Sequence, residues 1–244
     1  MAAPIKAILF DFIGTCLDWH SSIVKALPSE LSETEKSTFA LEWRQAYFDY
    51  NTKRLAEGEP VEDFDDSQRW LLDAFLDRTS NLNFKKFFST QVKEHLVSAW
   101  HHQDAWPDVA EALSKLKSRS KLEVYVHANG STRLQLDLVK SAGLHYDMLF
   151  SSELLGLYKP APESYRAAMK LLKLKPDECV MVAAHASDLR GAKAVGMKTV
   201  YVYRWTDDIR EDQEVVKREN DAYLLDMRNL DGVIANLRGP AGDQ

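Results

Sequence analysis

Asp11 is the first residue of the chain whose position suggests chemistry. It ends an apolar run, residues 5–11, and a turn that contains Gly14 follows it. A carboxylate at the carboxyl end of a buried strand faces the crevice where open α/β sheets bind ligands, and the N–H groups of such a turn can bind an anion. Taken alone, the segment is more typical of an aspartate that only forms the turn. Its function therefore depends on what the other strand ends carry.

Later positions place a cation, a histidine and a second carboxylate after apolar runs. Lys159 stands before Pro160, and Asp188 lies three residues beyond His185. A cation close to Asp11 would keep that carboxylate ionised. An ionised carboxylate can displace halide from a carbon atom and form an ester, which water then hydrolyses. The plainer interpretations are a solvent-facing lysine for Lys159 and a helix cap for Asp188.

The apolar runs predict the sheet that positions these residues. They are short and almost continuously hydrophobic, which is typical of strands covered by helices on both faces. Helical patterns alternate with them from Trp106 onward, so we predict a doubly wound α/β fold with a parallel sheet. The predicted strands are residues 5–11, 122–127, 148–151, 179–184 and 199–203, with 223–225 as a sixth candidate. The predicted helices between them are residues 108–117, 133–142, 163–172 and 188–195.

The stretch between the first two strands has a different pattern. Its apolar residues recur at three- and four-residue spacing, as in Phe39, Trp43 and Tyr47, which predicts helices. We therefore predict a helical cap domain, residues 19–103, inserted after the first strand of a core domain formed by residues 1–18 and 104–244. A cap inserted there would lie over the crevice at the carboxyl ends of the strands.

Four short motifs resemble those of the haloacid dehalogenase superfamily and occur in the same order. They are Phe10-Asp11-Phe12-Ile13-Gly14-Thr15, Asn129-Gly130-Ser131, Lys159-Pro160 and residues 182–188 (VAAHASD). In the cap region, Trp43-Arg44 resembles the cap segment of 2-haloacid dehalogenases. Each motif alone is weak, but together they span the core. The chain is thereby identified as a member of the 2-haloacid dehalogenase branch of that superfamily.

The resemblance implies a covalent mechanism. Asp11 would attack the substrate, Lys159 would keep it ionised, and Asp188 would order Lys159 and the hydrolytic water. The resemblance also implies a role for His185, because a branch of the family with a similar sequence motif at this position uses the histidine to activate water. We expect a neutral imidazole ring, which is suited to that task. A structural hydrogen bond to the Asp11 loop is the alternative for His185, and both interpretations stay open. We also expect pairing with Lys159 to lower the pKa of Asp188.

Ile13 distinguishes the dehalogenase branch from the phosphatases. Superfamily phosphatases carry a second aspartate at this position, and phosphoryl transfer normally needs Mg²⁺ to neutralise charge. Isoleucine can neither donate nor accept a proton, and it suits contact with an organic halide. We therefore predict an enzyme without metal or cofactor that cleaves a carbon–halogen bond. The alternatives are a phosphatase acting on a small phosphate monoester and a protein of this fold with a decayed site.

Arg44 is the predicted cap residue for the anionic groups of the substrate. The resemblance gives it a halide- or carboxylate-binding role, and a guanidinium matches planar anions; a helix-surface arginine is the plainer alternative. Thr15 and Asn129 are predicted to complete the carboxylate pocket, and Tyr165 to line it. Ala128 stands where the better-known dehalogenases have serine, which leaves the identity of the substrate open.

Composition limits the partners and the location. The 244 residues carry a formal net charge of −6, which argues against nucleic acid because that partner needs a basic face. Two cysteines are too few for a disulfide framework, and no apolar run approaches the length of a membrane span. We expect a cytoplasmic protein that binds a small anionic organic substrate and no membrane. The oligomeric state stays open, with a homodimer as one option.

Overall fold

The computed structural model describes residues 4–59, 62–78, 82–118 and 122–237. The chain divides into two units. The first, which we call the core unit, is formed by Met1–Leu17 together with Ala105–Gln244. The second, the helical unit, is Asp18–Asp104.

Six of the eight strands in the described residues form one sheet. In chain order the strands are β1 (Ala7–Phe10), β2 (Leu17–Asp18), β3 (Asp104–Ala105), β4 (Glu123–Ala128), β5 (Met148–Ser151), β6 (Cys179–Ala183), β7 (Lys198–Val202) and β8 (Ala222–Leu224). The order in the sheet is β5-β4-β1-β6-β7-β8, and its described pairings are all parallel. The first strand therefore lies in the middle, at the point where the strand order reverses. Ligands of doubly wound sheets bind beside such a point.

The central strands are buried on both faces, which explains their sequence pattern. Every residue of β1 and of β6 is without exposed surface. A strand covered on both sides must be apolar at every position. Its sequence is therefore a continuous hydrophobic run and not an alternation of apolar and polar residues. The predicted α/β fold with a parallel sheet is confirmed, and each predicted strand lies within two residues of the observed bounds.

Parallel pairing brings the carboxyl ends of the central strands to one edge of the sheet. Phe10, the last residue of β1, pairs with Val126 of β4 and with Val182 of β6. The residues that leave these three strands, Asp11 among them, therefore emerge side by side.

In its described residues the helical unit contains five helices: α1 (Trp19–Ala26), α2 (Glu33–Glu57), α3 (Phe64–Arg78), α4 (Leu82–Lys85) and α5 (Thr90–Ala99). α2 ends at Gly58, whose φ of 71° is the left-handed conformation that glycine adopts easily. Aromatic rings fill the space between the helices. The ring of Trp43 lies 5.4 Å from that of Trp100 and 5.9 Å from that of Phe39, measured between centroids.

Where the structure describes the core unit, seven helices flank its sheet: α6 (Val109–Ser118), α7 (Thr132–Ala142), α8 (Ser152–Leu155), α9 (Pro162–Leu172), α10 (Ala186–Ala194), α11 (Gln213–Glu219) and α12 (Leu230–Leu237). Short 3₁₀ helices occur at Pro176–Glu178 and Met227–Asn229. The spacing of apolar residues does not predict α8, α11 or α12, since a helix of eight residues or fewer shows too little of its period. Among the described helices, none is long and apolar enough to cross a membrane.

α10 begins earlier than predicted. His185 occupies its N-cap position, and Asp188 lies in its first turn instead of capping it. The reason is that the Asp188 side chain is buried and bonds to groups of the core unit, so it is not available to the N–H groups at the helix start.

α10 packs so closely on α9 that one position admits only glycine. A Cβ atom on Gly191 would lie 2.7 Å from the hydroxyl of Tyr165 and 2.8 Å from the carbonyl oxygen of Pro160. The carbonyl belongs to the backbone and the tyrosine is fully buried, so neither can move aside without shifting a helix.

We expect Gly191→Ala to lower the free energy of unfolding by roughly 1–3 kcal/mol, as overpacking does elsewhere. Gly232→Ala is the matched control, because it too lies within a helix but its Cβ would meet only the side-chain oxygen of Asn229, at 2.7 Å. That oxygen can rotate away, so the control should gain up to about 1 kcal/mol from helix propensity. Urea denaturation measures both, and equal stability of the two variants would contradict the close packing.

Candidate active site

Asp11 lies at the centre of a buried hydrogen-bond network at the end of β1. Its Oδ1 accepts a hydrogen bond from Nζ of Lys159 at 2.8 Å. Its Oδ2 accepts one from Oγ1 of Thr15 at 2.7 Å and lies 2.9 Å from Nδ1 of His185. The side chain is 11% exposed. The carboxylate is therefore fixed in orientation but still accessible at one side.

Lys159 bridges Asp11 and a second carboxylate. Its ammonium also donates to Oδ2 of Asp188 at 2.5 Å, and its side chain is buried. The other oxygen of Asp188 accepts a hydrogen bond from the hydroxyl of Tyr165 at 2.6 Å. One buried cation thus serves two buried carboxylates, and Tyr165 supports the second of them.

Three predicted substrate contacts have other functions in the core unit. The Thr15 hydroxyl donates to Asp11 and accepts from the backbone N–H of Ala184 at 2.8 Å, so it connects the Asp11 carboxylate to the residue that follows β6. The Asn129 side chain bonds both the N–H and the carbonyl of Lys159, at 2.8 and 3.0 Å, and so positions that loop. Tyr165 has no exposed surface, which corrects its predicted place in the pocket wall.

His185 lies between two carboxylates. Its Nδ1 is 2.9 Å from Oδ2 of Asp11, and its Nε2 is 3.0 Å from Oδ1 of Asp207. An ionised carboxylate only accepts hydrogen bonds, so both ring nitrogens must carry hydrogen for both contacts to form. In this arrangement the ring is an imidazolium. The other oxygen of Asp207 accepts a hydrogen bond from Oγ1 of Thr206 at 2.7 Å.

The central pair is ionised in spite of its burial. Burial disfavours charge on Asp11, but the charges and hydrogen bonds of Lys159 and His185 outweigh it and hold the pKa of Asp11 well below its ordinary value. Burial likewise opposes charge on Lys159, yet its two carboxylate partners raise the pKa of the ammonium. Asp11 is therefore a carboxylate at neutral pH, which is the form a nucleophile requires.

The predicted pKa shift of Asp188 and the predicted ionisation state of His185 are both wrong. Burial raises the pKa of Asp188, and the Lys159 ammonium only partly offsets it, whereas the sequence suggested a lowered value. Burial favours a neutral His185, but Asp11 and Asp207 together raise the pKa of the ring to about 10. The expected neutral base is instead a cation while Asp11 is ionised.

The turn after Asp11 is anchored by two other segments of the core unit. The indole N–H of Trp106 donates to the carbonyl of Gly14 at 2.8 Å, and Nε of Arg204 donates to the carbonyl of Thr15 at 3.1 Å. Arg204 is itself held by a bidentate ion pair with Asp108, at 3.0 and 2.9 Å. Because both residues of that pair are buried, removing either would leave an uncompensated charge.

Gly14 and Ile13 shape the turn in opposite ways. Gly14 has a φ of 89°, and a Cβ there would lie 2.5 Å from Oδ1 of Asp207, so only glycine allows the turn to approach that carboxylate. Ile13 is buried and places an apolar side chain two residues beyond Asp11. Its predicted contact with substrate stays a prediction.

Arg44 belongs to the helical unit, where aromatic rings surround it. Its guanidinium carbon lies 4.5 Å from the ring centroid of Phe48 and 5.6 Å from those of Trp19 and Trp100. The residue is 6% exposed, which rules out the helix-surface arginine considered as its plainer interpretation. A desolvated guanidinium that rests on aromatic faces keeps its charge. Its contact with the substrate is a prediction.

The residues around Asp11 do not fit a divalent cation. Hard cations such as Mg²⁺ bind through carboxylate oxygens, but all four side-chain oxygens of Asp11 and Asp188 already accept hydrogen bonds. The ammonium of Lys159 also lies between the two carboxylates. Across the described ranges, no group of three or more His, Cys, Asp or Glu side chains could hold a metal ion.

Asp207 is the site residue that sequence reasoning missed. It belongs to the run Thr206-Asp207-Asp208, which follows the predicted strand at residues 199–203. The available signal was the same one that singled out Asp11, a carboxylate shortly after a buried strand of a parallel sheet. The run matches none of the four motifs, so the resemblance does not identify it as part of the site.

Comparisons with known proteins agree with this geometry. The sequence model of haloacid dehalogenase-like hydrolases matches residues 5–196. (S)-2-haloacid dehalogenase 4A of Burkholderia cepacia is 31% identical over 84% of this chain and 85% of its own length. (S)-2-haloacid dehalogenase 1 of Pseudomonas sp. (strain CBS-3) is 29% identical over 82% of this chain and 86% of its own length.

Solved structures of L-2-haloacid dehalogenases are similar to this chain as well. The crystal structure of an L-2-haloacid dehalogenase superimposes with a TM-score of 0.79 and 29% identity, over 95% of this chain and 99% of that one. That of a defluorinating L-2-haloacid dehalogenase gives a TM-score of 0.79 and 27% identity, over 96% of each chain. Fold and sequence thus agree, and the chain belongs to the haloacid dehalogenase-like hydrolase family.

Proposed function

We propose that this protein hydrolyses the carbon–halogen bond of a short 2-haloacid and releases a 2-hydroxy acid and halide. The observation that carries the proposal is the ionised Asp11, held by Lys159 at the end of β1, with Ile13 where a phosphatase needs an acid. The relatives named above, which are (S)-2-haloacid dehalogenases, support the same reaction and the L enantiomer. Cytoplasmic location and a homodimer stay predictions.

The first half-reaction is a displacement by Asp11. One of its carboxylate oxygens attacks the carbon that bears the halogen, and the carbon–halogen bond breaks as the halide leaves with the electron pair. Lys159 and Thr15 hold the carboxylate so that it cannot rotate away from the substrate. Arg44, a buried cation of the helical unit, is the candidate to bind the halide or the carboxylate of the substrate.

The second half-reaction is hydrolysis of the ester on Asp11. Water attacks the carbonyl carbon of that ester, and a general base must take one of its protons. His185 contacts the Asp11 carboxyl through Nδ1, which places the nitrogen beside the carbon to be attacked. Asp188 is bonded on both oxygens by Lys159 and Tyr165, so its part is to hold Lys159.

The covalent step predicts where oxygen from water first appears. In a single turnover with excess enzyme in H₂¹⁸O, the label should enter Asp11 and the first product should be unlabelled. Asp11→Asn should abolish halide release while keeping the fold, and Asp177→Asn, at an exposed carboxylate, is its matched control. Mass spectrometry of the peptide that contains Asp11, and of the released product, shows which of the two carries the label. A labelled first product with unlabelled Asp11 would rule out the ester.

Activity should not depend on a divalent metal, because the oxygens of Asp11 and Asp188 are already engaged by Lys159, Thr15, His185 and Tyr165. Halide release from chloro-, bromo- and fluoro-acids should be unchanged after exhaustive treatment with EDTA. The paired assay is p-nitrophenyl phosphate with added Mg²⁺, which should give no turnover. Loss of dehalogenation to EDTA with recovery on Mg²⁺, or a magnesium-dependent phosphatase activity, would favour the phosphatase alternative.

Removing the base should separate the two half-reactions. We expect His185→Ala to release one halide per enzyme and then stall, with ester hydrolysis slowed by roughly 10²–10⁴-fold. His145→Ala, at an exposed histidine, should behave as the unmodified protein. Rapid quench followed by mass spectrometry should find the adduct trapped on Asp11. If the burst itself disappears, His185 serves substrate binding or folding, and another residue activates water.

A further inference from the structure

His185 must act as a base in the proposed reaction, yet it is a cation in the resting arrangement. The ring is buried between Asp11 and Asp207 and bonds to both through its two nitrogens. A doubly protonated ring has no lone pair with which to accept a proton from water. A step of the reaction must therefore remove one proton from the His185 ring.

Formation of the ester removes one of the two charges that hold the ring protonated. Once Asp11 is an ester it is neutral, and only Asp207 continues to face the ring directly. The Asp207 side chain has no exposed surface and is held by Thr206. It therefore stays bonded to Nε2 in both half-reactions, while the bond to Nδ1 loses its ionic partner.

We propose that Asp207 is the positioning residue of ester hydrolysis, and that esterification of Asp11 converts His185 from a cation into a base that faces the ester. The inference rests on the proposed function. Asp207 retains the hydrogen on Nε2, which fixes the tautomer and leaves the lone pair on Nδ1. Nδ1 is the nitrogen beside the Asp11 carboxyl, so the base is created where the water must attack.

Protons and charges balance over the cycle. As the halide leaves, Asp11 becomes neutral, and Nδ1 of His185 releases one proton to solvent. Nδ1 then takes a proton from the water that attacks the carbonyl carbon. When the tetrahedral intermediate collapses, the departing 2-hydroxy acid oxygen takes the proton of the acid formed on Asp11. The pair of ionised Asp11 and protonated His185 is restored, and one proton is released for each halide.

The charged groups that act on the ring come from two segments. Asp11 approaches from the end of β1, and Asp207 and Asp208 belong to the segment after β7. Asp208 does not bond the ring, because its Oδ2 accepts a hydrogen bond from the backbone N–H of Ala186 at 2.6 Å. It therefore offers a control carboxylate that is adjacent in sequence, partly buried and not bonded to the ring.

The first test needs no substrate. In ¹⁵N-labelled protein at neutral pH, both ring nitrogens of His185 should carry hydrogen. In Asp11→Asn, which has the neutral charge of the ester, the titration midpoint should fall by roughly 1–3 pH units, the effect of one neighbouring charge. The hydrogen that remains should be on Nε2. The signal is assigned by its loss in His185→Gln.

A variant that keeps both hydrogens over the same pH range as the unmodified protein would overturn the inference, as would a remaining hydrogen on Nδ1. His127 is the internal reference: burial holds its pKa well below the ordinary value, and loss of the Asp11 charge would lower that pKa further, so this ring should stay uncharged in both proteins. Since no haloacid is used, these outcomes are independent of whether the proposed dehalogenation is correct.

The second test uses Asp207→Asn, which keeps the shape and an acceptor oxygen but removes the charge. Its halide burst should reach one per enzyme, which also shows that the variant is folded. Ester hydrolysis should slow by roughly 10- to 10⁴-fold, the upper end being the effect of losing the orienting carboxylate of a Ser-His-Asp triad. The rate of hydrolysis rises with pH as the ring loses its proton, and its midpoint should move to lower pH.

Asp208→Asn is the matched control. It should shift the pH midpoint of ester hydrolysis less than half as far as Asp207→Asn does. A purely structural role for Asp207 would lower the rate without moving the midpoint, and that result would overturn the inference. Loss of the halide burst in Asp207→Asn would overturn it too, since it would place the residue in the first half-reaction.

Discussion

The buried ammonium of Lys159 is the interaction on which the rest of the site depends. It lies 2.8 Å from Asp11 and 2.5 Å from Asp188, where three charges would otherwise be strongly penalised by burial. Loss of one partner from a buried ion pair typically costs roughly 3–5 kcal/mol. The surroundings therefore position this ammonium from several sides: Asn129 holds its backbone, and Tyr165 holds the second carboxylate. The ionised state of Asp11, on which the proposed reaction depends, is a property of this arrangement.

The sheet could be predicted because its central strands are buried on both faces and thus appear as uninterrupted apolar runs. The same sequence pattern led to Asp11 at the end of the first strand, whereas the roles of Lys159 and Asp188 came from the resemblance of their motifs to those of the superfamily. Short elements were not predictable: α11 is seven residues long and shows too little of a helical period. The N-cap of α10 was misplaced because Asp188 bonds to tertiary partners instead of to the helix start.

The identities of the site residues were predicted better than the part that each residue has in the site. The sequence identifies Thr15 and Asn129 as site residues, but the partners that use their hydrogen bonds come from distant segments and cannot be read from spacing. Ionisation was the least predictable property. Whether His185 is neutral or charged depends on two carboxylates, and the second, Asp207, is brought to it only by the tertiary structure.

The contact between Gly14 and Asp207 has an evolutionary consequence. The glycine leaves room for the carboxylate, since any Cβ would lie 2.5 Å from Oδ1, and the carboxylate in turn occupies the volume that a side chain would need. The two positions should therefore covary among related chains: where an acid occupies position 207, position 14 is restricted by volume as well as by its φ of 89°. In lineages with a smaller residue at 207, backbone conformation alone would conserve the glycine, and asparagine, which tolerates left-handed geometry, becomes an accessible substitute.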